Sequence, residues 1–289
     1  ANRMGYLLPA MTQQKLDTQR DVVQNERRWS MDNQPYGTWW EKLPALAFPP
    51  ERGVSLADVT FTWLGHGSYR FDSAEGKRVY VDPWFDNPKC PENEKQPERC
   101  DVLALTHGHG DHIGSALDVA QAHSPKVVAI FELAAWLEAQ GAPNASQLGM
   151  NKGGTVDVDG IKFTMTHALH SSGFAQDGGA PVYLGDAAGY VVEFENGLTV
   201  YCAGDTAVFG DMQLIGRMHS PDVAILPIGD HFTMGPKAAA TALELIGVGR
   251  CIPIHWGTFP LLHGTPDQLR EAARDVEVIT AEPGATITL

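Results

Sequence analysis

Leu105-Thr106-His107-Gly108-His109-Gly110-Asp111-His112 places three histidines and an aspartate within six residues. The run follows an apolar segment, Val102–Leu105, that reads as a strand, and precedes Ile113–Ala122, which reads as a helix. In an extended loop His107 and His109, at i and i+2, point the same way. Asp111 and His112 then turn back at the helix start. Such a loop can offer ligands to two adjacent metal ions. Isolated histidines are more often structural, but this density beside small glycine spacers argues against that reading.

A dinuclear site needs more ligands, and they occur where further apolar strands end. His170 lies in His167-Ala168-Leu169-His170, Asp205 follows Val200–Ala203, and His255 closes Cys251-Ile252-Pro253-Ile254. Asp82 ends Val79-Tyr80-Val81 before Pro83. Side chains at the exits of buried strands are carried by a rigid scaffold, a common place for site residues. Taken singly each is an ordinary Asx-turn or hydrogen-bonding residue; with the histidine loop they form a set. His167 and His170 both remain open as donors at this point.

The surrounding pattern is that of a layered α/β body. Strands are expected at Val59–Leu64, Ser68–Phe71, Val79–Val81, Val127–Ile130, Val223–Pro227 and Cys251–Ile254. Hairpins are expected about Asp159-Gly160 and Asn196-Gly197. Helices are expected at Glu132–Gln140, 208–218, 236–246 and 266–274. Strands dominate early and alternate with helices later, which suggests two sheets with helices outside. The 289 residues carry 21 Lys+Arg against 35 Asp+Glu, a net charge of −14. Nucleic acid is therefore not an expected partner, since binding it requires a basic face. There is no run of 18 apolar residues, so no membrane span is expected. No secretory signal is visible, and a cytoplasmic location is expected. The expected partner is a small-molecule substrate.

His107-x-His109-x-Asp111-His112, followed in order by His170, Asp205 and His255 and preceded by Asp82, resembles the metallo-β-lactamase superfamily. Finer motifs resemble its UlaG-like metal-dependent hydrolases: Trp63-Leu64-Gly65-His66-Gly67-Ser68, Ala203-Gly204-Asp205-Thr206, Pro227-Ile228-Gly229-Asp230 and His255-Trp256-Gly257-Thr258-Phe259-Pro260. The resemblance covers about residues 55–289 and implies an αββα sandwich with the metal site at one edge between the sheets. It favours His170 over His167. It implies that His107, His109 and His170 hold one metal, that Asp111, His112 and His255 hold the second, and that Asp205 bridges them. The implied cofactors are two divalent ions, Zn²⁺ first, with Mn²⁺ or Fe also suited to mixed His/carboxylate ligation. Two such ions about 3.5–4 Å apart hold a water between them and lower its pKa. The expected reaction is attack of that bridging hydroxide on an ester, lactone or amide carbonyl, with Asp111 orienting the hydroxide and Asp205 bridging. Asp82 is expected to order the histidine loop as an acceptor behind the ligands. His66, His231 and His263 are candidates for a supporting or substrate-facing role.

The first 53 residues differ in character. They hold seven Lys/Arg against six Asp/Glu and three of the seven Trp, leaving 14 basic against 29 acidic residues in 54–289. A helix is expected over 12–32, and Phe48-Pro49-Pro50-Glu51 reads as a linker, giving a boundary between a helical extension at 1–53 and a hydrolase domain at 54–289. Residues 5–51, with Leu16–Arg28 and Asp32-Asn33-Gln34-Pro35-Tyr36-Gly37, resemble an internal piece of insulinase-type (M16) zinc peptidases. That family takes a zinc ligand at the position of Glu26, but its His-x-x-Glu-His motif is absent from this chain. The segment is thus expected to pack on the body or mediate self-association, making a homo-oligomer possible, and not to act as a peptidase. Cys202 and Cys251 are expected as inert core thiols, while Cys90 and Cys100 flank a polar loop and could pair in an oxidising compartment, a choice the sequence leaves open.

Among hydrolases of this resemblance, a true β-lactamase lacks a bridging aspartate, and a nuclease needs a basic exosite that a body at −15 does not offer. A glyoxalase II carries a helical tail, whereas 34 residues follow His255. The flavodiiron pattern replaces the second histidine, which is present as His109. The basic residues nearest the motifs are Arg70, Lys237 and Arg250, while Phe259, Pro260, Leu261 and Leu262 suggest an apolar wall. Carbonyl substrates are therefore favoured over anionic phosphates. The alternatives are a phosphodiesterase of the phospholipase D type and, from another class, a non-catalytic metal-binding or assembly module.

Overall fold

Residue-by-residue alternation in four central strands shows how the chain layers itself in the computed structural model, which describes residues 59–175 and 179–289. In chain order the elements begin with β1 (Thr60–Trp63), β2 (Tyr69–Asp72), β3 (Arg78–Val81), β4 (Val102–Ala104), α1 (Gly110–Ile113), α2 (Ala116–His123), β5 (Lys126–Val128) and α3 (Phe131–Ala139). They continue with β6 (Thr155–Val158), β7 (Ile161–His167), β8 (Gly173–Phe174), β9 (Val182–Tyr183), β10 (Ala188–Glu193), β11 (Thr199–Cys202) and α4 (Met212–His219). The last are β12 (Val223–Pro227), α5 (Pro236–Ile246), β13 (Arg250–Ile254), α6 (Pro266–Ala272), β14 (Glu277–Val278) and β15 (Thr286–Thr288). One sheet runs β15-β1-β2-β3-β4-β5 and the other β14-β13-β12-β11-β10-β7-β6. In each, antiparallel pairing gives way to parallel pairing, at β3–β4 in the first and at β11–β12 in the second.

Tyr190 and Val192 of β10, Val200 and Cys202 of β11, Ile225 of β12, and Ile252 and Ile254 of β13 all enter one core cluster. Phe61, Phe71, Val79 and Val102, paired across the first sheet on one face, belong to the same cluster, so these side chains fill the space between the sheets. Their neighbours Val191, Tyr201, Ala224, Leu226 and Cys251 enter a second cluster with Met212, Ile215, Leu243, Ile246 and Leu269 of α4, α5 and α6. A strand exposes alternate residues to opposite faces, so this division is a period of two made visible. Each large apolar side chain taken fully out of water contributes roughly 1.5–3 kcal/mol. Val119, Ala120, Leu133 and Leu137 of α2 and α3 join the first cluster from the other side. The expected αββα sandwich is the fold observed.

The local expectations hold with instructive differences. Val158 pairs directly with Ile161 across Asp159-Gly160, both at positive φ (52° and 95°), which is the two-residue turn whose twist matches the strands. About Asn196-Gly197 the turn is longer. Phe194 N donates to Leu198 O at 2.9 Å, and Asn196 Oδ1 accepts from Leu198 N at 3.0 Å. The helix expected at Ile113–Ala122 is broken. Gly114 passes so close to Trp84 that a Cβ would lie 2.7 Å from its ring, and Ser115 turns to receive Phe85 N on its hydroxyl at 2.9 Å. Strands β8, β9, β14 and β15 are additions of two or three residues, too short to show periodicity. Among the described residues no helix is long and apolar enough to cross a membrane. The four cysteines are free and buried, so Cys90 and Cys100 do not pair. The helix expected over 12–32 and the peptidase-like segment lie outside the described residues.

Candidate metal centre

The donors gather at one edge of the sandwich because each follows the C-terminal end of a strand. His66 follows β1, Asp82 follows β3, His107–His112 follow β4, His170 follows β7, Asp205 follows β11 and His255 follows β13. His66, Asp82 and His255 sit at positive φ (53°, 48° and 56°), where a side chain costs about 1–3 kcal/mol of backbone strain. The two sheets are joined there, since His255 N donates to His66 O at 2.9 Å and Trp63 Nε1 donates to the same oxygen at 3.0 Å. Trp63 and Trp256 stack with centroids 5.3 Å apart beside this junction.

One ligand atom from each of His107, His109 and His170 lies within 4.8 Å of the others, and the same holds for His66, Asp111, His112 and His255. Asp205 lies between the two groups. Its Oδ2 is 3.7 Å from His170 Nε2, 3.3 Å from His112 Nε2 and 3.2 Å from His255 Nε2. All seven residues expected at the centre are thus brought together, and His170 rather than His167 is the one that joins them. His167 instead accepts from Lys152 Nζ at 3.2 Å and lines an apolar cavity of about 360 Å³ with Phe209 and Leu214.

Asp82, 1% exposed, organises the centre from behind. Its Oδ1 accepts from Thr106 N at 2.8 Å, and its Oδ2 accepts from Thr106 Oγ1 at 2.5 Å and from His112 Nδ1 at 2.9 Å. Thr106 Oγ1 is also 3.0 Å from His107 Nδ1. Ser68 Oγ donates to Asp82 O and receives Trp84 N, and Ser172 Oγ receives Gly108 N. Gly67 admits His112, for a Cβ there would lie 2.4 Å from Cε1 of that ring. His66 bridges Asp111 Oδ2 and Thr258 Oγ1, each at 3.0 Å. The hydroxyls Thr106, Ser68, Ser172 and Thr258 were not among the expected site residues. Thr106, Ser68 and Thr258 stand inside the quoted motifs, so their closeness in sequence to His107, His66 and His255 was the available signal.

The electrostatics follow from burial. Burial holds His107 far below the usual imidazole range, lowers His109 and His170, and pushes His66 down to about 4. For Asp205 burial acts upward, but His255 and His112 outweigh it and hold the carboxyl well below its ordinary value. For His112 burial acts downward, and Asp205 and Asp82 reverse it. The chemistry of the donor set fits a cation. His112 Nε2, Asp205 Oδ1 and both ring nitrogens of His255 are buried without a hydrogen-bond partner. Such orphans cost roughly 1–3 kcal/mol each unless satisfied, and imidazole and carboxylate are the donors that Zn²⁺, Mn²⁺ and Fe accept.

His231 and His263 do not enter either donor group. His231 is exposed, with its ring edge-on to Phe232 at 4.4 Å. His263 lines a separate open cavity of about 760 Å³ with Asp230, Lys237 and Arg274.

Residues 77–256 match the family model described as a beta-lactamase superfamily domain. A UPF0173 metal-dependent hydrolase of Koribacter versatilis is 47% identical over 234 residues, covering 81% of this chain and 99% of that protein. A UPF0173 metal-dependent hydrolase of Roseiflexus castenholzii is 49% identical over 239 residues, covering 80% of this chain and 98% of its own. Among solved structures, a metallo hydrolase from the hyperthermophilic archaeon Ignicoccus hospitalis superposes with a TM-score of 0.70 at 32% identity, over 80% of this chain and 98% of that one. With the sandwich, the strand-end donors and these relatives in agreement, the chain belongs to the metallo-β-lactamase superfamily, among the UPF0173 metal-dependent hydrolases.

Proposed function

We propose that this metal-dependent hydrolase is dinuclear, with His107, His109 and His170 holding one ion, Asp111, His112 and His255 the other, and Asp205 shared. The observation that carries the reading is the position of Asp205 Oδ2 within 3.7 Å of histidines from both donor groups. Zn²⁺ is named first. Bound there, the ions would supply a Lewis acid for a substrate oxygen and a water of lowered pKa. The chain's own residues do the rest. Asp82 accepts the Nδ1 proton of His112, which turns the Nε2 lone pair toward the centre. Asp111, with its side chain about one-third exposed, is the carboxylate open to incoming substrate and water, where it can accept a hydrogen bond and orient them.

The substrate class inferred is an ester, lactone or amide, within the UlaG-like group. Of the three cations singled out in the sequence, two are already paired with carboxylates. Arg70 pairs with Asp72 at 3.3 Å and with Glu94, and Arg250 pairs with Glu277 at 3.4 Å. Lys237 lines the separate cavity. Leu169, beside His170, and Phe232 are exposed, both on segments tied to Thr206: Thr206 Oγ1 accepts from Leu169 N at 2.9 Å and Thr206 O accepts from Met234 N at 3.1 Å. Leu261 adds an exposed apolar group after Phe259, whose ring meets His66 at 5.3 Å. These features favour an uncharged carbonyl compound with an apolar portion over a phosphodiester. We take residues 54–289 as the hydrolase domain, in keeping with relatives that align over nearly their whole length to about 80% of this chain. Four free thiols fit a reducing compartment such as the cytoplasm.

The test is a screen of zinc-loaded protein on aryl esters, lactones, anilides and aryl phosphodiesters, with a chelated sample alongside. Carbonyl turnover abolished by chelation is expected. Turnover of phosphodiesters alone would overturn the substrate class, and no turnover with metal bound would favour a metal-binding module.

A further inference from the structure

His66 is grouped by distance with Asp111, His112 and His255, and distance alone would make it a fourth ligand of the second ion. Its hydrogen bonding separates it from the others. His112 Nε2 and His255 Nε2 are buried and without hydrogen-bond partners, whereas both ring nitrogens of His66 are taken. Nε2 faces Asp111 Oδ2 at 3.0 Å. An ionised carboxylate only accepts, so Nε2 must carry the proton. A nitrogen bearing a proton has no lone pair for a metal. In a neutral ring Nδ1 then accepts, and Thr258 Oγ1 at 3.0 Å is the hydroxyl that donates to it.

Packing holds the ring in this pose. It meets His255 at 3.8 Å between centroids, and Trp84 and Phe259 edge-on at 5.3 Å each. Its carbonyl oxygen receives both His255 N and Trp63 Nε1. His66 itself is 0% exposed. A side chain fixed on every side, with a donor aimed at one oxygen of a ligand carboxylate, can set the direction in which that carboxylate's other oxygen points.

We propose that His66 is a positioning residue and not a metal ligand: Thr258 fixes its tautomer, and its Nε2–H pins Asp111 Oδ2 so that Asp111 offers its remaining oxygen to the centre. The assignment rests on the dinuclear reading above and divides the group of four into three ligands and one support. Groups that orient a ligand typically change metal affinity 10–100-fold when removed, without abolishing the site.

The experiment uses the full chain and Zn²⁺ alone. Long-range ¹H–¹⁵N correlation of the histidine rings in the zinc-loaded wild-type protein reads the tautomer directly, with His66→Gln identifying the signal. A proton on Nε2 of His66 is expected; a metal-bound, unprotonated Nε2 would overturn the assignment. Zinc content is measured in parallel. His66→Gln and His66→Ala should each retain the full wild-type equivalents at saturating zinc, with affinity for one ion lowered roughly 10–100-fold in His66→Ala. Loss of a whole equivalent in His66→Ala, as expected for His255→Ala, would show that His66 is a ligand. Thr258→Val should weaken the same ion and Thr258→Ser should restore it; equal loss in both would show that the hydroxyl is not the active feature. A wild-type chain that binds no zinc would strike the metal centre itself, whereas loss confined to the His66 variants strikes only this assignment.

Discussion

Replacing Asp82 with Asn changes one atom in the most densely bonded position of the centre. The amide keeps an oxygen for Thr106 N, now 2.8 Å from Oδ1, but puts an NH₂ where Oδ2 receives Thr106 Oγ1 at 2.5 Å and His112 Nδ1 at 2.9 Å. Thr106 can rotate to accept. His112 can only respond by moving its proton to Nε2, the nitrogen that faces Asp205 at 3.3 Å and on which the second ion depends. Two hydrogen bonds to a charged acceptor, each about 1.5–3 kcal/mol, become neutral ones of about 1 kcal/mol. The loss is then about 1–4 kcal/mol, and at 2–4 °C per kcal/mol for a body of this size the metal-free melting temperature should fall by roughly 2–16 °C. Zinc affinity should fall by a further 10–100-fold because the ligand tautomer is wrong. Thermal melts of the chelated protein and competition with a chromophoric chelator measure the two losses separately. Wild-type zinc affinity in Asp82→Asn, with or without the thermal loss, would refute the tautomer argument.

Asp205→Asn should preserve the fold at equal volume and lower kcat on any substrate found by about 10²–10⁴-fold, with weakened binding of one ion; His263→Ala, on the separate cavity, serves as a near-neutral control. Gly216→Ala in α4 would place a Cβ 1.9 Å from Ile246 O, and the forced separation of α4 from α5 should cost more than the roughly 1 kcal/mol gained in helix propensity. A lowered melting temperature is expected, while Gly249→Ala, which meets nothing, should change little. Burial pushes Cys100, Cys202 and Cys251 up to about 12 and Cys90 to about 11, from a usual thiol value of 9.0. The raised folded values leave stability intact below pH 9 and remove on the order of 1 kcal/mol per thiol by pH 10, where only the unfolded chain ionises. Melts from pH 8 to 10.5 should therefore decline, and Ellman's reagent at pH 8 should find the thiols only after unfolding.

The strand-end donors were legible because metal chemistry demands particular side chains, and the order His107, His109, Asp111, His112, His170, Asp205, His255 carries their arrangement. The strands Val223–Pro227 and the helix 236–246 were legible because both faces of the first and one face of the second are buried, which writes itself as a continuous run and a 3.6-residue stripe. The hydroxyls that set the tautomers were not. A threonine is common in any loop, and what distinguishes Thr106 and Thr258 is a distance to Asp82 and to His66 across the sandwich edge. His231 and His263 illustrate the converse: a histidine in a rim loop carries chemistry only if the loop turns inward, and these two face elsewhere. The edge strand β15 pairs Thr286–Thr288 with β1 from the far end of the chain, a long-range contact that three residues cannot announce.

The most direct test of the central claim is the number of zinc ions held per folded chain at saturation, measured by elemental analysis after removal of free metal. The account predicts two for the wild-type protein and one each for His109→Ala and His255→Ala, drawn from different donor groups. A wild-type chain that saturates at a single ion, or that binds none, would contradict it.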